Sequence, residues 1–228
     1  MVKNGLSMSK QNQLLINFNL KKDYDEQDFY VSSSNKYAFN IINGWPKWLK
    51  RTVNLYGEQY SGKSHLSKIF ETKTTCLNIE SINFTNEILL KFKTKQALII
   101  ENFNFNIPEK LLYSLINIVE QENKYLLITS LKPINKFDFK LKDLNSRINN
   151  CLFVEIGAPD DELIYALIVK NFSDRQINID KKIIEYIIKR INRSYKDIFL
   201  FIYKVDQLSL QKGKPINLSI IKKILKQN

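Results

Sequence analysis

Residues 57–64 read GEQYSGKS and fit the pattern G-x-x-x-x-G-K-[ST], the spacing of a loop that folds around phosphates. Such a loop must turn tightly and aim backbone N–H groups at an anion, which Gly57 and Gly62 permit. Lys63 would reach the outer phosphates of a nucleotide, and Ser64, at the positive end of the helix that follows, would ligate Mg2+. The alternative is a glycine turn that happens to carry a lysine, since so short a pattern can arise by chance in a chain of 228 residues.

Three further segments carry groups suited to the same chemistry. ALIIENFN (97–104) reads as a strand ending in an acid, and Glu101 stands where a magnesium-directing carboxylate belongs. The next residue, where a carboxylate could activate water, is Asn102. An amide has no useful basicity near neutral pH, so slow self-hydrolysis is expected. LLITSLKP (126–133) ends its strand in Thr129 and Ser130, hydroxyls that either reach toward a γ-phosphate or simply close a buried strand. Arg147, in KDLNSRI (142–148), is the only arginine between positions 52 and 174 of a lysine-rich chain. It is either a planar, bidentate phosphate partner or one half of a surface ion pair.

These groups need a scaffold, and the hydrophobic pattern supplies one. TVNLY (52–56), TTCLNI (74–79), QALII (96–100), YLLIT (125–129) and CLFVE (151–155) are short β-rich runs. SHLSKIF (64–70) and PEKLLYSLINIVEQEN (108–123) have helical spacing, with Pro108 expected at the first helical position. Strands alternating with helices predict an α/β fold around a five-stranded parallel sheet. Past Gly157-Ala158-Pro159 only helical patterns follow, at 160–172, 180–191, 196–210 and 217–225, with Asp160, Asp180 and Asn217 as N-caps. The expected division is a tail at 1–22, a nucleotide-binding core at 23–157 and a small all-helical lid at 158–228.

Composition narrows the classes. No run of eighteen apolar residues and no apolar leader is present, so a cytoplasmic protein without a membrane partner is expected. Cys76 and Cys151 are far apart and His65 is the only histidine, which suggests neither a disulfide framework nor a zinc site; both cysteines read as buried. The net charge of +12 suits a nucleic-acid surface, yet the lysines are scattered and the Lys/Asn/Ile-rich mixture equally fits an AT-biased coding sequence.

Taken together, these segments resemble the AAA+ ATPases of the DnaA initiator clade, in particular the Hda-type regulators. FYVSSSNKYAFNII (29–42) resembles the segment lining the adenine pocket, which implies that Phe29, Tyr30 and Val31 contact a nucleotide. GEQYSGKSH (57–65) is similar to the initiator phosphate loop, including Ser61 and the trailing His65. LIIEN resembles the acid-plus-Asn second motif, and DLNSR the arginine-finger segment, which implies that Arg147 acts in trans. INRSYKDIFLFIYKVDQL (191–208) looks like the lid helix carrying the second phosphate sensor, here Lys196, with Arg193 a turn earlier. That position is usually an arginine, and Leu131 stands where the related segments usually have an acid. Both departures agree with Asn102 in pointing to slow hydrolysis.

QLLINF (13–18) resembles the peptide with which replication proteins dock on the β sliding clamp, Leu14, Ile16 and Phe18 filling apolar pockets and Gln13 bonding at the rim. A hydrophobic turn packing back on the core is the other reading. The resemblance implies a negative regulator of replication initiation that holds ADP or ATP with Mg2+ and has weak or no ATPase activity of its own. It would dock on the DNA-loaded clamp and stimulate hydrolysis by the DnaA initiator, with contact to DNA mainly indirect. No helix-turn-helix pattern follows the lid, so initiator function is not expected. The alternatives are an autonomous ATPase acting as a helicase-loader-like or DnaA-like replication factor, and a basic DNA-binding scaffold. Monomer, homodimer and filament remain open.

Overall fold

The structure, a computed structural model, describes residues 26–104, 106–175, 179–212 and 218–225. Its sheet has five parallel strands: β1 Thr52–Gly57, β2 Cys76–Glu80, β3 Ala97–Phe103, β4 Tyr125–Ser130 and β5 Leu152–Ile156, in the order β2-β3-β4-β1-β5. Helices α1 Lys36–Asn43, α2 Lys63–Glu71, α3 Asn86–Phe92, α4 Glu109–Gln121 and α5 Lys142–Asn149 cover both faces. The three inner strands are buried on both sides, which is why they read as apolar runs rather than alternating ones.

Strand periodicity sorts the core into two layers. Leu98, Ile100, Leu126 and Ile128 face α4 and α5, where they meet Leu112, Leu115, Ile116, Leu144 and Ile148. Their neighbours Ala97, Ile99 and Leu127 face α1 and α2, against Ala38, Ile42, Leu66 and Phe70. The phosphate-loop helix and the arginine-bearing helix therefore pack on opposite faces of one sheet.

Beyond the sheet, α6 Asp161–Asp174, α7 Lys181–Ile188, α8 Tyr195–Lys212 and α9 Leu218–Leu225 enclose a third core built around Ile168, Phe172, Ile187, Phe201 and Ile221. Asp160 and Asp180 cap their helices as expected, accepting from the Leu163 and Lys182 N–H groups. Asn217 lies outside the described residues. Pro108 stands one residue before α4, as its cap. A ψ of 131° there is extended rather than helical.

Two buried polar side chains lock the sheet's ends. Asn54, fully buried on β1, donates to Ile128 O and Ser130 Oγ at 3.1 and 2.9 Å and accepts from the Ile134 N–H. Lys124, also buried, donates to the carbonyls of Phe92, Lys93 and Lys95 at 2.6–2.9 Å and so closes the end of α3. One sequence expectation needs correcting: Cys151 is buried within the core layer under α4 and α5, but Cys76 is only half-buried, because it packs at the margin of the layer under α1 and α2. Burial pushes both thiols up to about 12, and both are free. Among the described residues no helix is long and apolar enough to cross a membrane.

Candidate functional site

The end of β1 and the start of α2 are joined by a loop whose shape depends on two glycines. A Cβ at Gly57 would lie 2.8 Å from the Ile156 carbonyl oxygen of the neighbouring strand. Gly62 caps α2 at φ 94°, in the left-handed region, and a Cβ there would lie 3.0 Å from the Phe29 ring. Phe29 is thus part of the loop's wall; it stacks on Phe39 and meets the His65 ring edge-on, with centroids 5.6 and 5.3 Å apart.

Lys63 lies folded into the loop, its ammonium donating to Gly57 O at 2.9 Å and Glu58 O at 2.7 Å, with Ser61 Oγ at 3.4 Å. Burial lowers its pKa from the ordinary 10.5 to about 8; Glu58 and Glu101 oppose that shift. Ser64 Oγ donates to Glu101 Oε2 at 2.6 Å, and Asn78 Nδ2 donates to Oε1 at 3.4 Å. Glu101 is buried and has both oxygens engaged. Serine hydroxyl and carboxylate therefore converge from two elements, α2 and β3, that are far apart in sequence.

Thr129 is fully buried, and its hydroxyl accepts from the Asn102 N–H at 3.0 Å across the β3–β4 seam. Ser130 donates to Lys132 O. Asn102 has φ 54°, which turns its side chain toward the end of β2, where Nδ2 donates to the Glu80 carboxylate at 3.0 and 3.3 Å.

The lid closes over this loop. Glu58 accepts from Ser194 Oγ at 2.5 Å and from the Tyr195 and Lys196 N–H groups at 2.9 and 3.4 Å. Tyr60, at φ 68°, stacks on Phe199 with centroids 4.1 Å apart. Tyr30 donates to Glu162 at 2.8 Å, and Val31, partly buried, packs against the second core layer. Arg193 pairs with Asp161 at 3.0 Å, and the Lys196 side chain is exposed.

Phe29, Gly57, Ser61, Gly62, Lys63, Ser64, His65 and Glu101 are therefore brought together around one loop. Arg147 is not among them: it sits on α5, ion-paired with Glu120 and lying over the Tyr113 ring, 5.4 Å from its centroid. Gln13, Leu14, Ile16 and Phe18 lie outside the described residues. Sequence reasoning missed Glu58, Tyr60 and Glu80. The first two occupy positions that the loop pattern leaves free, and the third ends an edge strand with no motif around it.

A phosphate loop between β1 and α2, a strand order of β2-β3-β4-β1-β5 and a four-helix lid define an AAA+ protein. A model of the family "Hda, lid domain" matches residues 160–225. The chain is 25% identical over 235 residues to the chromosomal replication initiator protein DnaA of Borreliella afzelii, covering 91% of this chain and 48% of the relative. Among solved structures, domain III of Thermotoga maritima DnaA matches with a TM-score of 0.72 at 19% identity, covering 90% of this chain and 97% of that one. AMPPCP-bound DnaA from Aquifex aeolicus matches with a TM-score of 0.69 at 17% identity, covering 92% and 70%. Residues 160–225 thus match the Hda lid family, and over most of its length the chain is similar to DnaA initiators. It spans about half the length of the curated relatives it matches.

Proposed function

We propose that this chain is a nucleotide-holding regulator of replication initiation, which supplies Arg147 to ATP bound by a DnaA initiator. ADP or ATP would sit with its phosphates in the 57–64 loop and its base near Phe29, Tyr30 and Val31. The oxygen donors present suit Mg2+: a hydroxyl from Ser64 and a carboxylate from Glu101, 2.6 Å apart. Magnesium takes one or two protein ligands and completes its shell with phosphate oxygens and water, and this fits a site with no larger acidic cluster among the described residues. The ion would offset phosphate charge; Lys63, Ser64 and the N–H groups at the start of α2 would orient the phosphates. Arg193 and Lys196 lie on the lid segment that Glu58 ties to the loop, within the part of the molecule that would sense the nucleotide.

The observation that carries the regulatory reading is the position of Arg147. It lies on the helix across the sheet from the phosphate loop, part-exposed, and its guanidinium is held by a surface glutamate rather than by this chain's own site. A group so placed is better suited to a neighbour's phosphate than to its own. Fingers in trans contribute roughly 10³ to 10⁵ in rate in other nucleotide hydrolases. Tethering to a DNA-loaded clamp through residues 13–18 would raise effective concentration, and contact with DNA would remain mainly indirect. The setting would be cytoplasmic.

The test is single-turnover hydrolysis of ATP pre-bound to the initiator, with clamp loaded on DNA. Acceleration by the wild-type chain that is lost in Arg147→Ala supports the reading. No acceleration by either, or equal acceleration by both, rejects it.

A further inference from the structure

The Asn102 position carries no base, yet a carboxylate stands beside it. Glu80, the last residue of β2, reaches across the edge of the sheet so that its oxygens lie 3.0 and 3.3 Å from Asn102 Nδ2. Its backbone is in register with Glu101 on the adjacent parallel strand, whose carboxylate meets Ser64 at the start of α2. Their surroundings differ. Glu101 is buried, with both oxygens engaged by Ser64 and Asn78, and is committed to that pair. Glu80 is exposed and enters no ion pair among the described residues; both its oxygens accept from the Asn102 amide, and its exposure leaves the remaining lone pairs open to a water molecule. The left-handed backbone of Asn102, fixed by the Thr129 hydroxyl on its N–H, aims the amide at Glu80. A side chain held this way orients the carboxylate rather than reacting itself.

We infer that Glu80 is the general base for hydrolysis of ATP by this chain itself, with Asn102 as its positioning residue. In the step, the Glu80 carboxylate accepts a proton from a water molecule while the water oxygen bonds to the γ-phosphorus. The bond from that phosphorus to the β–γ bridging oxygen breaks, its electron pair leaving with ADP, and inorganic phosphate is the second product. The carboxylate thus stands on β2 and the amide on β3, one hydrogen bond apart. The inference rests on nucleotide binding at residues 57–64 but not on any action on an initiator.

The experiment uses the full chain alone, without initiator or clamp. ATP and ADP dissociation constants are measured by equilibrium titration, then single-turnover hydrolysis is followed for wild type, Glu80→Gln and the exchange variant Glu80→Asn/Asn102→Glu. Slow but measurable hydrolysis is expected in the wild type. Glu80→Gln should lower it by about 10²-fold or more, the usual scale of general-base help, with the ATP dissociation constant unchanged within about twofold. The exchange variant should recover most of the rate, because the carboxylate–amide pair is kept with its members swapped. An undetectable wild-type rate with ATP bound, an unaltered rate in Glu80→Gln, a loss of ATP affinity that matches the loss of rate, or an exchange variant as slow as Glu80→Gln would each overturn the assignment. Failure to bind nucleotide at all would instead remove the nucleotide reading beneath it.

Discussion

Glu58 and Ser194 meet across 136 residues of sequence, the serine hydroxyl donating to the carboxylate at 2.5 Å. Ser194 Oγ also accepts from the Asp197 N–H at 3.3 Å, while the Tyr195 N–H donates to the other carboxylate oxygen of Glu58. The first turn of α8 is thereby capped by a side chain from the phosphate loop. A carboxylate at this end of a helix satisfies orphan N–H groups and opposes the positive end of the helix dipole. The loop and the lid are joined through one residue.

Replacing Glu58 with alanine should loosen the start of α8 by about 1–2 kcal/mol, the range of a lost cap. Hydrogen exchange at the Tyr195, Lys196 and Asp197 amides should speed up, while β3 and β4 keep their protection. Unchanged exchange at those amides would mean that the contact holds nothing in place.

Gly62→Ala combines a left-handed backbone with a Cβ 3.0 Å from Phe29. The backbone alone costs about 1–2 kcal/mol. Urea unfolding should show at least that loss, and Phe29→Ala added to Gly62→Ala should be less than additive, because it removes the steric part. Full additivity would place the whole cost in the backbone.

Lys63 gives a pH dependence of known sign. Its folded pKa is held at about 8 by burial, against 10.5 for an unperturbed lysine. Between those values the unfolded chain binds more protons than the folded one, so this group's contribution to stability rises with pH. Below pH 8 the penalty is fully present, about 3 kcal/mol for a shift of this size. The unfolding free energy of wild type minus that of Lys63→Met should be flat below pH 8 and climb toward pH 10.5. A difference that is level across the whole range would show an unperturbed amine.

Lys124 holds three carbonyls at once, so Lys124→Met leaves three buried acceptors without their donor. A loss of about 3 kcal/mol is expected from charge-assisted bonds of this kind. The exposed neighbour change Lys93→Met should stay within about 0.5 kcal/mol. Similar urea midpoints for the two variants would contradict the clamp.

Much of this molecule is written in short-range signals. Gly57, Gly62, Lys63 and Ser64 lie within eight residues, and the conformation their loop requires is dictated by local sterics and the start of one helix. The inner strands show because burial on both faces demands unbroken apolar runs, and Asp160 and Asp180 show because a cap bonds within three residues of itself. Even the association of Ser64 with Glu101 could be anticipated, since an acid at the end of the right strand has few other uses.

Other relationships depend on which elements become neighbours, and no periodicity encodes that. Strand order brings Glu80 against Asn102, 22 residues away, and docking of the lid brings Glu58 and Tyr60 against α8. Arg147 was open in the sequence between a phosphate partner and a surface ion pair; folding α4 beside α5 places Glu120 within its reach. Cys76 differs from Cys151 in how deeply its end of the strand is packed by the helices on its face. Backbone torsion and hydrophobic period act over a few residues and can be read along the chain, whereas pairing across a sheet or between domains is settled by the packing of surfaces that meet only once the whole chain has folded.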